Sequence, residues 1–299
     1  MRTRPPHDRW FAFALGGLIF AAASGLAGLL AGARGALGGA VLGVAAAYVL
    51  AGRVGRREAR RRALLAAPFP ESWRRYLAER YDHVDRLSEP LRTRFEADLR
   101  IFLAEKRISG IGLEATPELK LLVAASAVTL SLGWPDYEWE QLSEVLLYPQ
   151  DFDRDYGFEK AELAGEAHVW GTVILSVPAL EQSFADPDDA YHVGIHEFAH
   201  LLDLDRAGFG GIPAGLPPGR GPEWTALVEK EMERLRRGKS VLDAYGAEDP
   251  AEFLAVSVEA FFEAPLALRR RHRELYSLLA LYFAQDPAAW DDARGLEIG

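Results

Sequence analysis

The chain has 299 residues, 49% of them hydrophobic and 26% charged, with a net charge of −10, seven His and no Cys. That length can bury a sizeable core as one large domain or two modest ones, and the acidic balance argues against general nucleic-acid binding, which needs clustered positive charge. The lack of Cys excludes disulfides, thiol catalysis, iron–sulfur clusters and every Cys-containing zinc site, so any metal must rest on His, Asp or Glu.

The charge is unevenly divided. Ten Arg against Asp8 and Glu58 give residues 1–64 a charge of +8, leaving −18 on residues 65–299. Trp10–Ala33 is a run of twenty-four uncharged residues, and after Arg34 a second uncharged run covers Gly35–Gly52. A helix crossing a bilayer needs about 20 apolar residues, and small residues such as Gly16, Gly17, Gly25, Gly28, Gly39 and Gly43 suit close helix packing. The expectation is a transmembrane helical hairpin with its turn near Ala33–Gly35, forming with its basic stem a membrane anchor over residues 1–64. Three Arg precede the first run and six follow the second, which by the positive-inside rule puts both ends, and the domain that follows, in the cytoplasm. The Arg-rich stem at 53–62 would face anionic membrane lipid.

Residues 65–299 read as an α+β domain with a helical N-terminal part. Pro68 and Pro70 break the chain, and 71–107 carry helical periodicity, with Phe95, Leu99, Phe102 and Leu103 on one face. Thr116-Pro117-Glu118 is a helix start that leads through an apolar run to about Gly133. Strand signals follow at VLLYP (145–149) and HVWGTVILSV (168–177). The remainder is helical apart from the Gly/Pro-rich loop 208–222.

Residues 196–200 read His-Glu-Phe-Ala-His. At helical spacing His196 and His200 share a face and can bind one Zn²⁺, while Glu197 flanks them and can act on water at the metal. Asp186 as N-cap and Pro187 at the first helical position suggest where that helix starts. Asp203 lies on the histidine face, and His192 falls near the same stripe as a supporting or substrate-facing group.

A catalytic zinc takes three protein ligands. No His follows His200 until His272, so a carboxylate must complete the set: Glu223, Glu229, Glu231, Glu233, Glu252, Glu259 or Glu263. Glu229, Glu231 and Glu233 lie in a charged run that reads as a solvated face. The segment EFLAVSVEAFFE (252–263) is almost entirely apolar, which makes its acids costly to bury without a partner. Glu252 and Glu259 are seven apart and share a face. Asp249-Pro250-Ala251-Glu252 is also a plausible capping box. Spacing alone leaves Glu252 and Glu259 equal.

FLAEKRISGIGLEATPE (102–118), VLLYPQDF (145–152), GTVILS (171–176), HEFAHLLD (196–203), LDAYGAEDPAEFLAVSVEAFFEAP (242–265) and LYFAQDP (281–287) form an ordered set. Together they resemble the Mlc titration factor A family of zinc peptidases. The resemblance implies a zincin-like metallopeptidase domain with Glu252 as third ligand, Tyr245 facing the metal as a catalytic residue, and Glu259 as a supporting carboxylate. It implies one Zn²⁺ per chain and a peptide or protein substrate; strand addition, a general mode of peptide recognition, is expected to dock that substrate on the edge of HVWGTVILSV. The chain departs from the family in its N-terminal hairpin and in the segment GFEKAELAG (157–165), where a relative carries a His that His168 does not match. A second reading is a non-catalytic, membrane-tethered regulatory or binding protein whose zinc site is structural or vestigial; on either reading a regulatory protein partner is left open.

Overall fold

A computed structural model describes residues 6–135, 137–158, 162–187, 189–205 and 208–290. Its contacts divide the chain into two compact units that meet at Pro68 and Phe69.

The first unit is helical, α1 (Pro6–Ala66). Gly32 adopts φ +62° within it, and a Cβ added to Gly43 would lie 2.5 Å from the Phe20 Cα. Positions twenty-three apart touch, so the helix folds back on itself at Gly32, and glycine permits both the left-handed turn and the close approach. The expected membrane crossing is corrected. Among the described residues no helix is long and apolar enough to span a bilayer. Gly and Ala, which add little apolar free energy each, recur along α1, and Arg34 interrupts it. The membrane location and cytoplasmic orientation, which rested on that crossing, fall with it.

The second unit is helix-rich, with a small mixed sheet. Its elements run α2 (Glu71–Ala78), α3 (Asp82–Arg86), α4 (Glu89–Glu105), β1 (Ile108–Gly110), α5 (Pro117–Ser131), β2 (Glu144–Tyr148), β3 (Gly165–Ala167), β4 (Thr172–Ser176), α6 (Val177–Ala185), α7 (Val193–Asp203), β5 (Leu204–Asp205), β6 (Gly208–Phe209) and α8 (Gly221–Arg236). A 3₁₀ turn (Ala244–Ala247) precedes α9 (Pro250–Glu263), α10 (Pro265–Arg271) and α11 (Arg273–Phe283). Thr116 caps α5, its Oγ1 accepting from the Leu119 N–H at 3.3 Å. The helix is buried along nearly its whole length, which explains a sequence that is apolar on every face.

The sheet order is β1-β2-β4-β3, with β1, β2 and β4 parallel and β3 antiparallel at one edge. The run expected as one strand over 168–177 is the returning arm of a hairpin. Gly171, at φ +85°, donates its N–H to the His168 C=O at 2.8 Å and closes the turn between β3 and β4. β4 is therefore internal, and β3 carries the open edge. β5 and β6 form a separate antiparallel pair.

Candidate metal centre

The helix start expected at Asp186 lies elsewhere. Asp186 is the C-cap of α6, its N–H bonded to the Gln182 C=O, and Pro187 follows as a stop rather than a start. Helix α7 opens at Val193. His192 is fully buried and does the capping: its Nδ1 accepts the Ile195 N–H at 3.2 Å. Burial in an apolar pocket, where its ring meets Phe184 edge-on at 4.7 Å, lowers its pKa to about 3 and keeps Nδ1 free to accept. His192 thus shapes the helix and does not face substrate.

Helices α7 and α9 pack together and bring His196, His200 and Glu252 into one group, with potential ligand atoms all within 4.8 Å of one another. The Glu252 Oε2 lies 3.0 Å from His196 Nε2 and 3.6 Å from His200 Nε2. Glu259, two turns further along α9, reaches the other side of the same imidazole, its Oε1 2.7 Å from His196 Nδ1. Its Oε2 accepts the His192 backbone N–H at 2.6 Å. The tie that spacing left between Glu252 and Glu259 is resolved: Glu252 joins the Nε2 atoms, and Glu259 holds Nδ1. Asp249 supplies half of the capping box, its Oδ1 accepting from the Ala251 and Glu252 N–H groups at 2.8 and 3.0 Å. The Glu252 carboxylate, free of the reciprocal cap, turns to the histidines.

Glu197 is 5% exposed and lines the same cleft, which has a volume of about 620 Å³. Burial raises its pKa from 4.5 to about 7, against the opposing pull of His196 and His200. Burial works against charge on His196, but Glu259 and Glu252 outweigh it and lift its pKa well above the ordinary value. Glu252 moves the other way: hydrogen bonds from His196 and His200 overcome burial and lower it to about 2. Three carboxylates around one imidazole make a setting that favours added positive charge.

Tyr245, in the 3₁₀ turn, lines the cleft with its ring 6.1 Å from that of His196. Its pKa is pushed up to about 12, first by burial and then by Glu252, so its hydroxyl stays a donor. Asp203, on the histidine face, bonds no imidazole among the described residues. It is buried and accepts the Gly211 and Ile212 N–H groups at 2.6 and 2.8 Å, pinning the loop after β6. His168 stays outside the group, bonded to the Tyr156 hydroxyl at 3.0 Å and stacked on Trp170. Glu231 is not on a solvated face: it is 2% exposed and bonds His272 Nδ1 at 2.6 Å.

Gly165 was missed by sequence reasoning. A Cβ there would lie 2.5 Å from Glu197 Oε1, so β3 passes directly against the Glu197 carboxylate. A glycine at a strand position is the signal that marks such close backbone approaches. Arg154, Glu166 and Phe209, which also line the cleft, had no signal of their own.

The donor set fits a metal. With Glu259 on Nδ1 to hold a proton there, a metal that displaces the Nε2 proton would find that lone pair directed at it. Two imidazole nitrogens and one carboxylate are the ligand types of a catalytic zinc site, and among the described residues the group has three ligands rather than the four of a closed structural site.

An α+β scaffold carrying two histidines and a glutamate of this arrangement belongs to the metallopeptidase class. The glucose-regulated metallo-peptidase M90 family matches residues 56–284, and the chain belongs to that family. An uncharacterized protein of Synechocystis sp. is 29% identical over 244 residues, covering 76% of this chain and 89% of its own length. Mlc titration factor A of Edwardsiella ictaluri is 31% identical over 225 residues, 67% of this chain and 83% of that protein. Mlc titration factor A of Klebsiella pneumoniae is 30% identical over 220 residues, 66% and 80% of the two chains.

Proposed function

We propose that the chain is a zinc-dependent peptidase, with His196, His200 and Glu252 as ligands of one Zn²⁺, Glu197 as general base and Tyr245 as oxyanion donor. The peptidase domain runs from about residue 65 to 299. The observation that carries this reading is the convergence of both Nε2 atoms and the Glu252 carboxylate beside a buried glutamate whose pKa lies near 7.

A bound Zn²⁺ supplies Lewis acidity, which polarises the scissile carbonyl and acidifies water. Glu197, poised near neutrality, takes the proton from the attacking water and passes it to the leaving amine. The Tyr245 hydroxyl donates to the oxyanion of the tetrahedral intermediate. Glu259 holds the His196 ring in the orientation and tautomer that coordination needs.

Peptide docks on the open edge of β3. Ser176 N–H bonds the Ala164 C=O and His168 N–H bonds the Thr172 C=O, each at 2.8 Å. Alternation along the strand then turns the N–H and C=O of Gly165 and Ala167 outward. A peptide paired there passes Glu197, because Gly165 lies against it.

The test is Glu197→Gln on the full chain, assayed for peptide hydrolysis and for bound zinc. Hydrolysis should be lost with one zinc retained per chain. Undiminished hydrolysis would overturn the reading.

A further inference from the structure

The open edge of β3 is short. At Leu163, two residues before Gly165, the outward backbone groups are already taken: Phe152 N–H bonds the Leu163 C=O at 3.0 Å and Leu163 N–H bonds the Phe152 C=O at 2.9 Å. A peptide pairing antiparallel to β3 continues the sense of that bridge, and antiparallel pairing is the more stable per residue. Its C-terminal side then runs from Gly165 toward Leu163 and meets the 151–157 turn within about two residues of the bond beside Glu197.

That turn is built rather than loose. Phe152 is fully buried, and Asp151 Oδ1 accepts the Ser176 hydroxyl at 2.5 Å. Asp153 Oδ1 accepts the Asp155 and Gly157 N–H groups at 2.9 Å each. The turn presents Arg154 to the cleft, the single Arg or Lys among the residues that line it. Arg154 is exposed and makes no ion pair among the described residues. Of the four acids that line the cleft, Asp249 caps α9 and Glu252 bonds the histidines, while Glu197 lies against Gly165 and Glu166 Oε2 is buried without a hydrogen-bond partner among the described residues.

We infer that Arg154 receives a carboxylate of the substrate one or two residues C-terminal to the scissile bond. A guanidinium matches a carboxylate with two parallel N–H donors, and a strand that must end at the turn places its free C-terminus there. An acidic side chain at the same position offers the same chemistry. This inference rests on the peptidase reading above and assigns the substrate class of that site: short peptides, or protein C-termini, trimmed near a free carboxyl end.

The experiment uses the full zinc-loaded chain and a neutral hexapeptide in three forms: free acid, C-terminal amide, and amide with Glu in place of Gln at the second position after the cleaved bond. kcat/KM is measured for wild type and Arg154→Gln, and the same peptides are titrated by fluorescence anisotropy against Glu197→Gln and Glu197→Gln/Arg154→Gln. Wild type should favour the free acid over the amide by about 10-fold or more, a charge-assisted pair being worth that much. Arg154→Gln should bring the ratio to within about 2-fold of one, in turnover and in binding alike. A preference that follows the Glu side chain instead of the terminus, and vanishes with Arg154, supports the same contact from the other source. A ratio unchanged by Arg154→Gln, or a wild type indifferent to every carboxylate, overturns the inference. Cleavage of the amide by wild type upholds the peptidase reading whichever way the ratio falls. A chain that cleaves none of the three counts against that reading, and the anisotropy ratio then decides Arg154 by itself.

Discussion

Glu259 holds His196 from behind: its Oε1 lies 2.7 Å from Nδ1, while Glu252 approaches the Nε2 side of the same ring at 3.0 Å. Two acids seven residues apart on α9 therefore bracket one imidazole of α7. Glu259 also accepts the His192 N–H, so one carboxylate sets both the ring and the first turn of the helix that carries it.

Removing that carboxylate should loosen the metal without deleting a ligand. Glu259→Gln should weaken zinc binding by about 10- to 100-fold, the usual cost of losing a partner behind a ligating histidine. Glu259→Ala should also strand the buried His192 N–H and cost about 1–3 kcal/mol of stability. Competition with a chromogenic chelator measures the first effect and thermal unfolding the second. Wild-type affinity in Glu259→Ala would contradict the assigned role.

The metal-free protein should become less stable as pH rises. Burial raises the folded-state pKa of Glu197 from 4.5 to about 7, so the fold favours the protonated acid. The stability from this preference is complete below about 4.5 and is lost as pH climbs through 7, with a ceiling of about 3 kcal/mol. His196, also raised, acts in the same direction. In the presence of chelator, wild type should lose more Tm between pH 5 and pH 8 than Glu197→Gln does. Equal losses would mean that Glu197 is not held protonated by its surroundings.

Gly165→Ala probes the approach of β3 to the base. The added methyl would sit 2.5 Å from Glu197 Oε1 and 2.9 Å from its carboxyl carbon, so the side chain must move. A displacement near 1 Å at a reacting group costs about 100-fold in rate. The expected result is a fall of that order in kcat with zinc content unchanged. Full activity would show that Glu197 tolerates displacement and is not the base.

Tyr245→Phe removes one hydroxyl from a half-exposed ring. A lost oxyanion donor lowers kcat by about 100- to 1000-fold. KM should change little, because the contact forms as charge develops. Steady-state kinetics on a single peptide separates the two constants, and a change confined to KM would reassign Tyr245 to substrate binding.

Much of this centre is legible in the chain because its signals are local. His196, Glu197 and His200 are set by a spacing of four on one helix, and Thr116 and Asp249 announce helix starts through side chains that bond a neighbouring backbone N–H. Local signals also mislead. Asp186-Pro187 has the chemistry of a helix start but closes α6, because both residues suit either end of a helix. The run 168–177 has strand composition throughout, yet Gly171 bends it into a hairpin. The apolar N-terminal runs suggested a membrane crossing that no described helix is long and apolar enough to make.

The chain by itself determined the chemistry of the donors: without Cys, the metal had to fall to His and carboxylate, and one His pair had the spacing. Spacing left Glu252 and Glu259 level and the family resemblance favoured Glu252; the packing of α9 against α7 is what puts Glu252 beside both Nε2 atoms. Glu252 and Glu259 share a helical face and are equivalent by periodicity, but an imidazole has two distinct nitrogens. The docking of the two helices sends one acid to each. The neighbourhood of Gly165, Arg154 and Glu197 was likewise out of reach, because strand order and a bridge at Leu163 create it. Residues that meet only through long-range pairing leave no period in the sequence.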